Sequence, residues 1–401
     1  MSWQTVKLGE LCQFVRGPFG GALKKENFVD DGYAVYEQQH AIYDQFDNIR
    51  YFVDEKKFNE MKRFALKDGD LIMSCSGTMG KVAIVPKNIK KGIINQALLK
   101  LTPNKDLDLV FLKRFMESGS FQFELNDNTH GAAIKNVASV SILKDLKIPL
   151  PPLPEQKRIA AILDKADELK HKREAAIAKL DQLAQSIFVE MFGFNKYDEM
   201  TVSEMLDKEI LLMHKDGNFG SSYPKSDDFG EQGVAFLTAK SVDENGLIDN
   251  EKIELLNEEK AEQFKFGWIN KGDVLLAHNA SVGKVGFYDG RFEKALIGTS
   301  LTAYRPNNIF LNSLFLFSAL RSISFQKQLT KNMGQTTRNQ VPITAQRFLK
   351  IPVPPIELQE QYSKKLAKLS DYRDMQTKSL NKLSGLFSSL QHKAFSGQLV
   401  P

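Results

Sequence analysis

Two loops of the sequence carry side chains whose donors and acceptors match the edges of DNA bases. The first spans residues 129–141 (THGAAIKNVASVS) and the second spans residues 332–344 (NMGQTTRNQVPIT). The candidate base-reading residues are Lys135 and Asn136 in the first loop and Thr337, Arg338, Asn339 and Gln340 in the second. Lysine and arginine match the guanine acceptors of the major groove, while asparagine and glutamine match adenine. The alternative is a pair of solvated loops with ordinary polar content.

Four further lysines are candidates for contacts with phosphate, which position a protein on a duplex without reading its sequence. Lys24 and Lys25 end the glycine-rich stretch GPFGGALKK, in a turn. Lys81 and Lys284 each follow a glycine in the matching stretches GKVAIV and GKVGFY. For this second pair, an ordinary solvated hairpin is an equally good interpretation.

Residue patterns typical of catalysis are absent from the sequence. The stretch SGTMGKV at 76–82 lacks the spacing of a phosphate-binding loop, and Val82 stands where a metal-binding hydroxyl is needed. The six histidines are scattered, without the H-E-x-x-H or C-x-x-C spacing of metal sites. No NPPY or DPPY tetrapeptide of adenine methyltransferases occurs. The sequence therefore predicts a binding protein without a metal, a cofactor or an activity of its own.

An internal repeat organises the elements that must position these residues. A constant shift of 203 residues carries Ile148 onto Ile351, since IPLPPLPEQ at 148–156 matches IPVPPIELQ at 351–359. The same shift carries GDLIMS at Gly69 onto GDVLLA at Gly272, and upstream it drifts only slightly, to 200–202. A gap-free match over more than a hundred residues indicates a duplicated unit, in which a globular domain precedes a helix.

Each globular half is predicted to be a mixed α/β or α+β domain. The stretches GDLIMS, KVAIV and ALLKLTP are short, β-rich and bounded by Gly, Pro and Asn, which is typical of strands. Residues 109–118 and 311–322 are predicted as short helices. The proline-rich segments favour extended backbone, and Pro154 suits the first turn of the helix that follows.

Long helices are predicted after both proline-rich segments. From Glu155 to about Phe192 neither Pro nor Gly interrupts the chain, and eight of ten heptad a and d positions are apolar when a falls at 159, 166, 173, 180 and 187. The second copy shares this phase because 203 is a multiple of seven. Connectivity and pseudo-two-fold symmetry then predict two antiparallel coiled-coil helices that separate the domains. The predicted segments are 1–150, 151–196, 197–353 and 354–401.

Composition adds only mild constraints. The chain has 401 residues and a formal net charge of +5, which permits an acidic partner such as DNA without requiring one. No apolar run approaches the ~20 residues needed to cross a bilayer. Two cysteines in so long a chain fit a reducing compartment, so a cytoplasmic location is expected.

The duplicated layout and four stretches resemble the specificity subunit of type I restriction–modification systems. The stretch IPLPPLPEQKRIAAILDKAD at 148–167 is very similar to the pattern of that family. The paired GKV hairpins, NQALLKLTP at 95–103 and AFSGQL at 394–399 also fit. The second copy departs from the pattern, because IELQEQYSKKLAKLSD lacks the Pro-Glu-Gln-Lys order. The resemblance covers essentially the whole chain.

This resemblance implies a DNA-binding, non-catalytic subunit with two target recognition domains. Each domain would read one half of a bipartite, asymmetric site in double-stranded DNA, and the helices would set the gap between the halves. The chain would dock two methyltransferase (modification) subunits, which methylate adenine, and motor-nuclease (restriction) subunits would join them. Two alternatives stay open: a protein-interaction scaffold, or a DNA-recognition subunit of another defence or methylation assembly.

Overall fold

A computed structural model of the chain describes residues 3–127, 140–193, 196–279, 281–333 and 339–399. Its contacts divide the chain into two compact units. The first unit comprises Met1–Ala175 and Thr377–Pro401, and the second comprises Ala176–Gln376. Each unit therefore holds one globular part together with segments of two long helices. The four-segment division made from the sequence stays a prediction.

The first unit is built around two four-stranded sheets. Its strands are β1 (Thr5–Lys7), β2 (Cys12–Arg16), β3 (Phe28–Val29), β4 (Tyr33–Tyr36), β5 (Phe52–Val53), β6 (Leu71–Ser74), β7 (Val82–Ile84), β8 (Gly92–Ile94), β9 (Leu98–Pro103) and β10 (Lys147–Pro149). One sheet has the order β2-β9-β6-β7 and is antiparallel. The other has the order β3-β5-β4-β8, in which β4 and β8 run parallel. The short pair β1-β10 forms a separate ribbon.

Short helices cover the sheets of the first unit. They are α1 (Leu8–Leu11), α2 (Gln38–Tyr43), α3 (Glu55–Glu60), α4 (Leu109–Met116), α5 (Gly119–Asp127) and α6 (Val140–Asp145), and the long α7 (Leu153–Phe192) follows. The predicted helix at 109–118 is thus confirmed as α4. It begins at Asp108 because that carboxylate accepts hydrogen bonds from the backbone N–H groups of Val110 and Phe111. Its apolar face, which includes Phe111 and Phe115, is buried in the core.

The second unit repeats this arrangement. Its strands are β11 (Glu199–Thr201), β12 (Leu211–Asp216), β13 (Phe229–Gly230), β14 (Val234–Leu237), β15 (Glu254–Leu256), β16 (Val274–Ala277), β17 (Val285–Phe287), β18 (Ala295–Ile297), β19 (Leu301–Pro306) and β20 (Lys350–Pro352). Its helices are α8 (Val202–Asp207), α9 (Glu258–Ala261), α10 (Ser313–Arg321), α11 (Ile323–Lys331), α12 (Ile343–Gln346) and α13 (Ile356–Phe395). The sheet orders β12-β19-β16-β17 and β13-β15-β14-β18 match those of the first unit strand for strand. The predicted duplication of a mixed α/β domain is confirmed.

The proline-rich segments join the beginning of each domain to the beginning of a long helix. In the first unit, β10 pairs antiparallel with β1, and Ile148 faces Val6. In the second unit, β20 pairs with β11, and Ile351 faces Met200. The extended backbone expected before proline is therefore used as a strand, and helix α7 starts at Leu153, four residues after β10 ends at Pro149.

A buried glutamine fixes the first turn of each long helix. Gln156 is 1% exposed and makes three hydrogen bonds to backbone groups. Its Oε1 accepts from the Asp108 N–H at 2.7 Å, and its Nε2 donates to the carbonyls of Asp106 at 3.0 Å and Pro151 at 2.8 Å. The equivalent bonds of Gln359 join it to Asn312, Phe310 and Pro354. Because these bonds reach the residues that precede α4 and α10, the corner between domain and helix is fixed twice in the same way.

The two long helices contact each other in antiparallel order within each unit. In the first unit, Ile159 and Leu163 near the start of α7 share a core with Ala394 near the end of α13. In the second unit, Phe188 near the end of α7 lies against Tyr362 near the start of α13, with ring centroids 5.6 Å apart. The predicted antiparallel pairing is confirmed. Across the described ranges, no helix combines the length and apolar content that crossing a membrane requires.

The heptad assignment agrees with the structure at the a positions and only in part at the d positions, of which Ile162 and Ala176 are half-buried. Leu169, Leu183, Tyr372 and Leu386 were assigned to d, yet they are 44%, 46%, 53% and 55% exposed. The buried stripe instead combines a with the flanking positions such as Leu163, which is fully buried. The physical reason is that each helix packs against its domain core as well as against the other helix, which rotates the contact stripe toward the flank.

Candidate nucleic-acid interface

Four loops of the first unit meet at one edge of its sheets, which we call the first loop edge. These loops follow β2, β4, β6 and β8. The Asn95 N–H donates to the Tyr36 carbonyl at 2.9 Å, and the Cys75 N–H donates to the Ala97 carbonyl at 2.8 Å. Gly17 approaches so closely that a Cβ atom there would overlap the carbonyl oxygen of Asn95. Backbone contacts therefore hold all four loops together, whatever side chains they carry.

The loops after β12, β14, β16 and β18 form a second loop edge in the same way. The Gly298 N–H donates to the Leu237 carbonyl at 2.8 Å, and the His278 N–H donates to the Ser300 carbonyl at 3.1 Å. A Cβ atom at Gly217 would overlap the backbone of Ile297, as at its counterpart in the first unit. Two equivalent surfaces thus carry different loop side chains.

Lys81 lies in a rigid hairpin on the first loop edge, and its side chain is exposed. Its N–H donates to Ser74 Oγ at 3.0 Å, and its carbonyl accepts from the Ser74 N–H at 2.8 Å. Gly80 has a φ of +75° and its carbonyl accepts from Gln122 Nε2 at 3.0 Å. The hairpin and the phosphate-contact interpretations of Lys81 are therefore compatible, because the fixed backbone holds an exposed lysine side chain.

Lys284 occupies the same backbone position in the second unit but has a different electrostatic environment. The Gly283 carbonyl accepts from Gln326 Nε2 at 3.0 Å, which repeats the bond to Gly80. The Lys284 ammonium lies 2.6 Å from a carboxylate oxygen of Glu244, and only 28% of its side chain is exposed. A phosphate at this position would have to compete with Glu244 for the ammonium, whereas among the described residues no such ion pair involves Lys81.

Lys24 and Lys25 are both exposed, in a 3₁₀ turn beyond the loop after β2. The Lys24 ammonium lies 3.6 Å from a carboxylate oxygen of Glu26, and its N–H donates to the Asn27 side chain at 3.0 Å. Among the described residues, no hydrogen bond or ion pair joins this turn to Lys81. The structure therefore leaves these lysines as separate exposed cations rather than parts of one cluster.

The second predicted base-reading loop reaches the second loop edge. Asn339 and Gln340 are exposed, and Gln340 forms an isolated antiparallel bridge with Asn279 in the loop after β16. The next residue, Val341, donates its N–H to the His278 carbonyl at 2.9 Å. Gln340 is thus brought beside the hairpin that ends in Lys284. The predicted residues Lys135, Asn136, Thr337 and Arg338 lie outside the described residues.

Sequence analysis missed the two glutamines that lock the hairpins, Gln122 and Gln326. Besides the glycine carbonyls, their Nε2 atoms donate to the carbonyls of Met116 at 2.6 Å and Leu320 at 2.7 Å. Gln122 thereby ties the hairpin of the first loop edge to α5, and Gln326 ties the hairpin of the second loop edge to α11. The signal was present in the sequence as a Gln–Gln match, but its shift is 204 rather than 203, so the match predicted to be gap-free is wrong in this segment. A search at constant shift passes over it.

Two kinds of reactive group, metal-ligand clusters and accessible thiols, are not found among the described residues. Within the described ranges, no group of three or more His, Cys, Asp or Glu side chains is placed to hold a metal ion. The Cys12 and Cys75 thiols are free and buried, and burial raises the pKa of each to about 12, which keeps them protonated and unreactive. What the loop edges offer is exposed cations, amides and fixed backbone.

Comparisons with known proteins agree on one family. Residues 1–179 and 216–384 match the sequence model of the type I restriction modification DNA specificity domain. The chain is 24% identical to the type I restriction enzyme MjaVIII specificity subunit of Methanocaldococcus jannaschii, over 99% of this chain and 93% of that relative. It also shares its fold with two solved structures. One, from a study of complex assembly and conformational transition of the type I R-M system, matches with a TM-score of 0.61 and 18% identity over 99% of this chain and 98% of that one. The other, the S subunit of a type I restriction–modification system from M. genitalium, matches with a TM-score of 0.53 and 19% identity over 98% of this chain and 96% of that one.

Proposed function

The chain belongs to the family of type I restriction–modification DNA specificity subunits, and from this premise we propose that each loop edge reads one half of a split DNA site. As a specificity subunit, the chain recognises the sequence and is not itself the enzyme of the complex. The observation that carries the proposal is the repetition of one backbone frame with different loop side chains. Two copies of a frame with different loops suit an asymmetric, bipartite site.

The proposed contacts fall into two classes. Lys24, Lys25, Lys81 and Lys284 contact phosphates, whereas Lys135, Asn136, Thr337, Arg338, Asn339 and Gln340 contact base edges. The exposure of Asn339 and Gln340, beside the hairpin that ends in Lys284, supports this division. Because phosphate contacts release counterions, Lys81→Ala should weaken binding to all sequences and reduce the salt dependence. Lys284→Ala should do so less, because Glu244 already neutralises that ammonium.

Base reading by Arg338 is tested through its selectivity rather than its affinity. Arg338→Ala should relax base preference in one half-site only, at a cost of about 1–3 kcal/mol for the preferred base. The measurement is selection of bound duplexes from a library randomised in both half-sites, with Lys81→Ala as the control that affects all sequences alike. A uniform loss would identify Arg338 as a phosphate contact. A flat salt titration of the wild type would instead favour the alternative function, a protein-interaction scaffold.

The long helices are proposed to set the gap between the half-sites. Helices α7 and α13 each contain 40 residues, and so each is about 60 Å long at 1.5 Å per residue. Removing the equivalent heptads 173–179 and 376–382 from the pair preserves the phase of both helices. This deletion shortens them by ~10 Å and should shorten the preferred gap by about three base pairs. An unchanged gap in the same duplex selection would refute this role.

Two methyltransferase subunits are proposed to dock on the exposed apolar residues of the long helices, and restriction subunits then join. Each unit offers an equivalent pair of these residues. The first unit holds Leu169 and Leu386, and the second unit holds their counterparts in the repeat, which are Tyr372 for Leu169 and Leu183 for Leu386. Leu169→Asp should reduce the bound modification subunits from two to one, as counted by native mass spectrometry. Lys179→Asp, at an exposed polar position of α7, is the matched control. Two bound copies in both variants would contradict this docking site.

The two unpaired thiols support a cytoplasmic location.

A further inference from the structure

A chain of polar side chains is buried beneath the second loop edge. Its members are His214, His278, Thr302, Tyr304 and Gln346, and none is more than 3% exposed. They lie on β12, on β19, in α12 and in the loop after β16. Buried polar groups destabilise a core unless each finds a partner, so such a group requires a local explanation.

Gln346 is the centre of this chain. Its Oε1 accepts hydrogen bonds from the Tyr304 hydroxyl at 2.8 Å and, at 3.3 Å, from the His214 ring. Its Nε2 donates to Thr302 Oγ1 at 3.1 Å and to the Val341 carbonyl at 3.0 Å. One buried amide therefore connects two strands of the sheet to the backbone of the loop that carries Asn339 and Gln340.

The other end of this chain of polar side chains, at His278, also meets the loop that carries Asn339 and Gln340. Thr302 Oγ1 accepts from Gln346, so its own hydrogen is available for His278 Nδ1, which lies 2.9 Å away. The His278 carbonyl accepts the Val341 N–H at 2.9 Å. The Val341 carbonyl is thus bound by the side chain of Gln346 and its N–H by the backbone of His278, whose ring is held by Thr302, and this leaves Val341 little freedom relative to the sheet.

The first unit shows that the fold does not require these polar residues. At the five equivalent places it has Phe14, Cys75, Leu99, Leu101 and Leu143, which lie in or against its apolar core. The backbone pairing is the same, since Phe14 faces Leu101 where His214 faces Tyr304. The polar chain is therefore a feature of the second unit alone, located under the segment proposed to read bases.

We infer that Gln346, Thr302 and His278 are positioning residues that hold residues 339–341 in the geometry needed to read one half-site. The inference rests on the proposed function of the second loop edge. None of the three side chains touches DNA in this role. They act through the Val341 backbone, which fixes where the neighbouring Asn339 and Gln340 present their amides.

The first test needs no DNA and uses two variants of the full chain. Gln346→Leu installs the first unit's residue at the centre of the polar chain. H214F/H278C/T302L/Y304L/Q346L installs all five apolar residues and leaves none of these polar side chains unpaired. In both variants the Val341 amide should exchange its hydrogen about tenfold faster or more, since its loop loses a hydrogen bond. Unchanged protection at Val341 in the folded five-residue variant would overturn the inference.

The second test measures selectivity in the complex assembled with modification subunits. Duplexes are selected from a library randomised in both half-sites, for the wild type and for the five-residue variant. We expect discrimination to fall by about tenfold in one half-site and to stay unchanged in the other. Retained selectivity in both half-sites, together with a wild-type thermal midpoint, would show that the polar chain is only core packing. If the wild-type complex selected no two-part DNA site, the proposed function would be refuted. The hydrogen-exchange experiment at Val341 would still decide whether the polar chain positions the loop.

Discussion

Replacing Gln156 by leucine tests whether a single side chain fixes the corner between the first domain and its helix. The variant leaves the Asp108 N–H and the carbonyls of Asp106 and Pro151 without their partner. Each of these three groups costs about 1.5–2 kcal/mol when it is left buried and unpaired, which is about 5 kcal/mol together, and burial of leucine offsets about 2 kcal/mol. The expected net loss is therefore about 3 kcal/mol of unfolding free energy.

The assay is thermal unfolding of the full chain, with Gln359→Leu as an internal replicate. For a unit of about 200 residues, each kcal/mol shifts the midpoint by about 2–4 °C, so the loss should be about 6–12 °C. Gln359 makes the same three kinds of bond, so both variants should lose similar stability, each in its own unit. Gln361→Leu is the matched control, because Gln361 is exposed on the same helix as Gln359.

Three results would contradict this reasoning. A shift below about 2 °C for Gln156→Leu would mean that water satisfies the freed groups, and that the glutamine does not fix the corner. Equal shifts for Gln359→Leu and Gln361→Leu would assign the effect to helix propensity. A large loss in one unit and none in the other would show that the two corners, although identical in hydrogen bonding, differ in how far they can relax.

Three further predictions concern the two units separately. Burial lowers the pKa of His214 to about 4, whereas the unfolded chain binds this proton near pH 6.5. Because protonation therefore favours the unfolded chain, the unfolding free energy should fall by up to about 3 kcal/mol between pH 6.5 and 4. His214→Phe should flatten this part of a plot of thermal midpoint against pH, and an unchanged slope would contradict it. Gly80→Ala places a Cβ atom 2.7 Å from two atoms of the α5 side chains at a φ of +75°, so it should lower the midpoint more than Gly69→Ala, where the space is open. Arg114 lies 2.7 Å from Asp164 and 2.9 Å from Asp167, so Arg114→Met should cost about 2 kcal/mol, whereas Lys165→Met on the same helix as Asp164 should cost little.

The sequence predicted those features whose signal is local or periodic. The duplication, the strand–turn–strand order, the helix predicted at 109–118 and the start of α7 near Pro154 all follow from short patterns, and the structure agrees with them. Leu169 and Leu183 were misassigned as buried d positions because an apolar residue looks the same in the sequence whether it faces a core or an exposed surface. Packing of the helix on its domain decides between the two, and that packing is not encoded in the helix's own period.

The polar chain of the second unit could not be predicted for a different reason. His214 and Gln346 are 132 positions apart, and nothing in either neighbourhood indicates the other. A histidine in a strand and a glutamine in a short helix are each more often explained by solvent exposure than by burial. Only the comparison of the two units shows that the second has five polar residues where the first has five apolar ones, and the strand pairing is what identifies His214 as the equivalent of Phe14.

The kind of group that holds each loop determines how freely the loop can change. Gln122, Gln156, Gln326 and Gln359 all bind backbone carbonyls or amides, which are present whatever the loop side chains are. A frame held in this way tolerates new reading residues without adjustment. In the second unit, Gln346 binds side chains as well as the Val341 backbone, so a new loop there would have to keep this geometry or replace the whole polar chain. New specificities should therefore be easier to engineer through the loop after β6 than through residues 339–341.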